Sequence, residues 1–130
     1  MAASGPTGGA RRLRGHAAHA GGLEAEARAA ALLSDLGFTM LARRLRTPSG
    51  EIDLIAADAA TLLIVEIKRR PTLVEAAHAL TARQSARLLA AADYVLATHP
   101  EWGRENMRID VMIFDASLRV RRIQDALRVG

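Results

Sequence analysis

The chain contains no cysteine. That excludes a disulfide framework, a thiolate zinc site and a cysteine nucleophile, and it suits a reducing, cytoplasmic setting. Aromatic residues make up only 3% of the sequence, too few for the stacking platform with which many proteins hold single-stranded nucleic acid. No apolar run approaches the roughly 18 residues that a membrane span needs, so no membrane association is expected. Arg11, Arg12 and Arg14 are not followed by an apolar core, and a secretory signal is therefore not expected. Lysine is almost missing: Lys68 is the sole lysine among 18 basic residues. A GC-rich codon bias explains the excess of arginine. It also makes the one lysine informative, because a partly buried lysine can change its pKa and an arginine cannot.

The 130 residues fit one domain, and half of them are hydrophobic, enough for a single core. Net charge is +4, but the segment before Glu24 holds Arg11, Arg12, Arg14 and no acid, which leaves 15 basic against 14 acidic residues in the remainder. Any attraction for nucleic acid must then come from local clusters and not from a global field.

Residues 1–21 are rich in Gly, Ala, Ser, Pro and Arg with no hydrophobic period, and they read as a disordered basic tail. Residues 22–130 read as one α/β domain in the order αβββαββ, a mixed sheet flanked by helices. The expected elements are a helix from Gly22 to Leu36 stopped by Gly37, and strands Phe38–Leu45, Glu51–Ala57 and Thr61–Lys68. A long helix follows from about Leu73 to Thr98, broken near Thr81, and then strands Met107–Phe114 and Leu118–Ile123. Thr47-Pro48-Ser49-Gly50 reads as the turn between the first two strands.

Alternation places Leu62, Ile64, Glu66 and Lys68 on one face of the third strand, and Leu63, Val65 and Ile67 on the other. On the second strand it places Ile52 and Leu54 on one face, and Glu51, Asp53 and Ile55 on the other. A two-residue loop at Ala59-Ala60 makes paired numbers sum to 119, so that Asp53 lies opposite Glu66 on the same face. Two carboxylates there repel unless a cation lies between them. A hard divalent ion, Mg²⁺ or Mn²⁺, takes such oxygen ligands, and the carbonyl of Ile67 could add a third. Lys68 stands on the same face, two residues beyond Glu66. Carboxylates, a divalent ion and an ammonium group are what phosphodiester hydrolysis asks for: an activated water and relief of developing charge.

Gly50-Glu51-Ile52-Asp53-Leu54-Ile55-Ala56 followed by Ile64-Val65-Glu66-Ile67-Lys68 resembles the YraN family of uncharacterised bacterial proteins, placed in the restriction-endonuclease-like, PD-(D/E)xK superfamily. Glu26, Ala29, Leu33 and Gly37, then Ala42-Arg43, Thr81, Arg87-Leu88 and Arg108-Ile109-Asp110-Val111, also fit the family pattern, so the resemblance covers about residues 22–115. It implies a restriction-endonuclease-like core with Asp53, Glu66 and Lys68 as the metal and catalytic group, and Glu26 as a helix-borne acidic contributor. Three departures bear on substrate contacts, one of them a loop after Arg70 that is short and lacks the family's usual Gly. Gln84 stands where the family usually has Lys, and Arg44 where it usually has Asn.

The reading is thus a metal-dependent nuclease acting on DNA, with Asp53, Glu66, Lys68 and Glu26 as catalytic residues and Asp53, Glu66 and Ile67 at the metal. Arg43, Arg44, Arg69, Arg70 and Gln84 are candidate contacts to nucleic acid. A homodimer would supply the two sites that duplex cleavage needs. The alternative is a nucleic-acid-binding protein of the same fold that does not cut. Asp110 reads as structural, and His16, His19, His78 and His99 lack ligand partners at useful spacing.

Overall fold

The computed structural model describes residues 9–73 and 80–127, with side chains from residue 22 onward. The elements are α1 (Gly9–Asp35), β1 (Thr39–Thr47), β2 (Gly50–Ala57), β3 (Thr61–Arg69), α2 (Ala82–Thr98), β4 (Asn106–Phe114) and β5 (Val120–Ile123), with a 3₁₀ turn at Pro100–Trp102 after α2. The five strands form one sheet in the order β1-β2-β3-β4-β5. β3 and β4 run parallel, and the other three pairs are antiparallel. Only the parallel pair needs a crossover, and α2 supplies it.

The αβββαββ order and the mixed sheet agree with the sequence reading. One helix boundary differs. α1 begins at Gly9 and not at Gly22, so it takes in residues 9–21 of the segment read as a disordered tail. Ala, Leu and Arg are among the better helix formers, and they outweigh the glycines there. Residues 1–8 of that segment lie outside the described residues. α2 starts at Ala82, at the break expected near Thr81. Thr81 caps it: its side chain accepts the Gln84 N–H while the Gln84 side chain accepts the Thr81 N–H, both at 3.1 Å. Residues 74–79, with His78, lie outside the described residues.

One helix covers each face of the sheet. Ala25, Ala29, Ala30 and Leu33 of α1 pack on Leu54, Leu63, Val65, Met112 and Phe114. Leu88, Ala91, Ala92 and Val95 of α2 pack on Ile52, Ile55, Ala57, Leu62, Ile64 and Ile109. β3 alternates as expected, with Leu62 and Ile64 toward α2 and Leu63 and Val65 toward α1. β2 does not. Ile52 and Ile55, three residues apart, both face α2, while Leu54 faces α1. The alternation slips one place around Asp53, so the expected pairing of faces for Ile52 and Leu54 is corrected. Opposite this slip, β1 carries a register shift between Met40 and Ala42 and a left-handed residue at Arg44, φ 51°. Bulges and left-handed residues twist a strand locally and re-aim its side chains.

At the β4 end Asp110 is fully buried. It accepts from Arg108 Nη2 at 3.0 Å, Arg122 Nη2 at 2.9 Å and the Asp125 N–H at 2.8 Å. A carboxylate with that many donors ties β4 to β5 and the turn after it, which is the structural role expected for it. Among the described residues no helix is long and apolar enough to cross a membrane.

Candidate functional site

The β2–β3 hairpin closes as its loop length requires. The Asp58 N–H donates to the Thr61 carbonyl at 3.1 Å, and the Asp58 carboxylate accepts from the N–H groups of Ala60 and Thr61 at 3.0 and 2.8 Å. The register follows, with Ala57 opposite Leu62 and Leu54 opposite Val65, which is the pairing that sums to 119. The ladder ends at Leu54 and Val65. Beyond it the Asp53 carboxylate replaces a main-chain acceptor and takes the Ile67 N–H at 2.7 Å. The two strands fork there, and the fork is where the acidic residues gather.

Asp53 and Glu66 meet at this fork, in contact through their carboxyl groups although no ladder pair joins them. Burial, and after it the charge of Glu66, push the Asp53 carboxyl up to about 7 from an ordinary 3.8, against the lowering effect of the Ile67 N–H. The exposed Glu51 adds a smaller push in the same direction. A carboxyl that keeps its proton to near neutral pH beside a second acidic side chain marks a concentration of negative charge that a cation would relieve. Their oxygens suit a hard divalent ion. Among the described residues no group of three or more acidic or histidine side chains lies close enough to hold one. An ion here would rest on Asp53, Glu66, a main-chain oxygen and water.

Lys68 lies on the Glu66 face as expected, its Nζ 3.1 Å from Glu66 Oε2. Glu26 comes from α1 on the opposite side of the sheet, 7% exposed. It is joined to Arg44 at 3.4 Å and to Arg43 at 3.9 Å. A cavity of about 230 Å³ opens between α1 and the strand ends, lined by Glu26, Arg44, Glu51, Asp53, Ile67 and Arg69 among others. The structure therefore brings Glu26, Asp53, Ile67, Arg44 and Arg69 to one cavity, with Glu66 and Lys68 behind Asp53. Arg70 turns back to donate to the Arg69 carbonyl at 2.7 Å. Gln84 is engaged in the α2 cap, both its N–H and its side-chain carbonyl used on Thr81.

Arg44 repays closer inspection because its backbone is left-handed in mid-strand. Arginine adopts that conformation at a cost, whereas asparagine adopts it more readily. Asparagine is the residue that the resemblance implies at this position. The departure noted from sequence thus falls on a strained position whose side chain reaches into the cavity.

Arg87 was not among the residues singled out for the site. Its Nη2 donates to Glu66 Oε2 at 3.1 Å and its Nη1 to the Glu51 carbonyl at 3.1 Å. A signal was present: Arg87, Ala91 and Val95 recur at helical spacing, so Arg87 is a charge at the head of the stripe that α2 turns to the sheet.

The profile of the uncharacterised protein family UPF0102 matches residues 25–114. The chain belongs to this family. A UPF0102 protein of Granulibacter bethesdensis is 56% identical over 117 residues, spanning 90% of this chain and 74% of the relative. Others come from Azorhizobium caulinodans, 50% identical with 78% of each chain covered, and Acidiphilium cryptum, 46% identical with 82% and 83% covered. UPF0102 is the YraN family, so the resemblance carried by GEIDLIA and VEIK identified it correctly. The family match includes every candidate site residue from Glu26 to Arg87.

Proposed function

We propose that this UPF0102 protein is a divalent-metal-dependent nuclease of restriction-endonuclease-like fold that hydrolyses DNA phosphodiester bonds. One observation carries the reading. The fork between β2 and β3 presses Asp53 against Glu66, with Lys68 3.1 Å from Glu66, at the edge of a cavity flanked by arginines. Asp53, Glu66 and the Ile67 carbonyl would hold Mg²⁺ or Mn²⁺. Such an ion lowers the pKa of a bound water and stabilises charge on the phosphate. The Ile67 N–H fixes Asp53, and Lys68 holds Glu66 and brings positive charge to the place where charge develops. Arg44 and Arg69 line the cavity and would take backbone phosphates, with Arg43 and Arg70 outside them. Glu26, now paired with Arg44, would contribute acidic character when a phosphate draws the arginine away.

A second reading has its own support. Glu66 Oε2 already receives both Lys68 and Arg87, and Glu26 receives Arg43 and Arg44, so much of the acidic charge is neutralised within the chain. A protein of this kind could bind nucleic acid without cutting it. The deciding experiment is cleavage of labelled duplex, single-stranded, flap and four-way-junction DNA with Mg²⁺ or Mn²⁺ and with chelator, with Asp53→Asn and Lys68→Ala alongside. Metal-dependent cutting lost in Asp53→Asn supports the nuclease. Salt-sensitive binding without cutting supports the binding protein.

A further inference from the structure

Glu66 can serve the fork only if its carboxylate is held in one orientation, and a glutamate has three rotatable bonds with which to leave it. Two cations hold it, both at Oε2: Lys68 from its own strand and Arg87 from α2, each at 3.1 Å. Arg87 does more than pair with Glu66, because its second nitrogen donates to the main-chain carbonyl of Glu51. One planar guanidinium thus spans β2 and Glu66 at the point where the two strands have parted. Its two terminal nitrogens, held in one rigid plane, make one bond each. The neighbouring Gly50 keeps the path open: a Cβ there would lie 2.9 Å from Arg87 Nη1 and 3.3 Å from its Cδ, and the glycine's φ of 116° disfavours a side chain as well.

We infer that Arg87 is the positioning residue of the acidic site, bracing Glu66 against Asp53 from α2, and that Gly50 is a glycine partly to admit it. This rests on the reading of Asp53 and Glu66 as metal ligands. A brace of this kind has a signature. It lends positive charge to a metal ligand, so it weakens the ion's binding slightly while setting the geometry that turnover needs.

The test uses the full chain as wild type, Arg87→Gln, Arg87→Lys, Glu66→Gln and the Arg87→Gln/Glu66→Gln pair. Mn²⁺ affinity is read by electron paramagnetic resonance, steady-state cleavage with Mg²⁺, and urea unfolding in chelator. In Arg87→Gln, Mn²⁺ binds several-fold tighter while kcat falls roughly 10- to 100-fold with KM little changed. Arg87→Lys returns Mn²⁺ affinity to the wild-type value, since the charge is back, but recovers only part of kcat, since one ammonium nitrogen does not reproduce the fixed spacing of the two guanidinium nitrogens. In chelator the two single variants are non-additive in stability. Mn²⁺ binding that is weakened or unchanged in Arg87→Gln, or full recovery of kcat by Arg87→Lys, overturns the inference. If the wild type binds no Mn²⁺ and cuts nothing, the metal reading falls. The unfolding cycle then decides the brace alone: non-additivity keeps it and additivity removes it.

Discussion

Replacing Asp53 by Asn should stabilise this protein in the absence of metal, although Asp53 is the residue on which the proposed activity most depends. In the unfolded chain the carboxyl ionises near 3.8, and in the fold it keeps its proton until about 7, chiefly because it is buried and then because Glu66 is beside it. Between those values the folded chain binds more protons than the unfolded one, so stability falls as pH rises through the window. A shift from 3.8 to about 7, at roughly 1.4 kcal/mol per pH unit, sets a ceiling of about 4 kcal/mol on the loss. Asparagine has nearly the same shape and never ionises, and its carboxamide oxygen can still accept the Ile67 N–H. That hydrogen bond loses its charge assistance, a cost of about 1 kcal/mol, so the net gain expected at pH 8 is about 1–3 kcal/mol. At pH 4 the two proteins should unfold together. The measurement is urea unfolding at pH 4, 6 and 8 in chelator, followed by the fluorescence of the single tryptophan, Trp102. Millimolar Mg²⁺ should then close the gap by stabilising the wild type alone. A variant less stable than wild type at pH 8, or a difference that does not change from pH 4 to pH 8, would refute the crowding of charge at the fork.

The remaining predictions concern the surroundings of the site. Asp110→Ala strands Arg108 and Arg122 beside a fully buried position and should cost about 3 kcal/mol by urea unfolding, with Asp53-dependent properties unchanged. Arg44→Asn should hold or raise stability by about 0.5–1 kcal/mol, because asparagine tolerates the left-handed backbone, while it weakens DNA binding. The double change Arg43→Ala/Arg44→Ala should flatten the slope of log affinity against log salt by about 2 if both side chains meet phosphates. An unchanged slope would leave them as partners of Glu26 only. Thr81→Ala removes the α2 cap and should lower stability by about 1 kcal/mol.

The strands and their order were legible because local patterns dictate them. A two-residue loop at Ala59-Ala60 leaves one antiparallel register, and alternation along Thr61–Arg69 sorts its side chains between two apolar layers. That register predicts Asp53 opposite Glu66, but the ladder stops at Leu54 and Val65, and the two carboxyls meet beyond it where the strands part. Helix ends were less legible. Ala-rich sequence propagates a helix in either direction, and the Thr81–Gln84 cap is what sets the start of α2.

The sequence by itself determined the family and the register of the closed part of the central hairpin, since each depends on neighbours along the chain or across one tight turn. Tertiary structure alone decided the rest. That the strands part beyond Leu54, that β2 slips its alternation at Asp53, and that Arg44 bends back to Glu26 are consequences of fitting β1 and α1 onto one sheet. Arg87 is the plainest case. Nothing within twenty residues of it in the chain calls for a guanidinium there, and its partners are Glu51 and Glu66, 36 and 21 positions away. A charge at the end of an apolar helix stripe has meaning only when the opposing surface is known, because the field it answers is made by residues from another part of the chain.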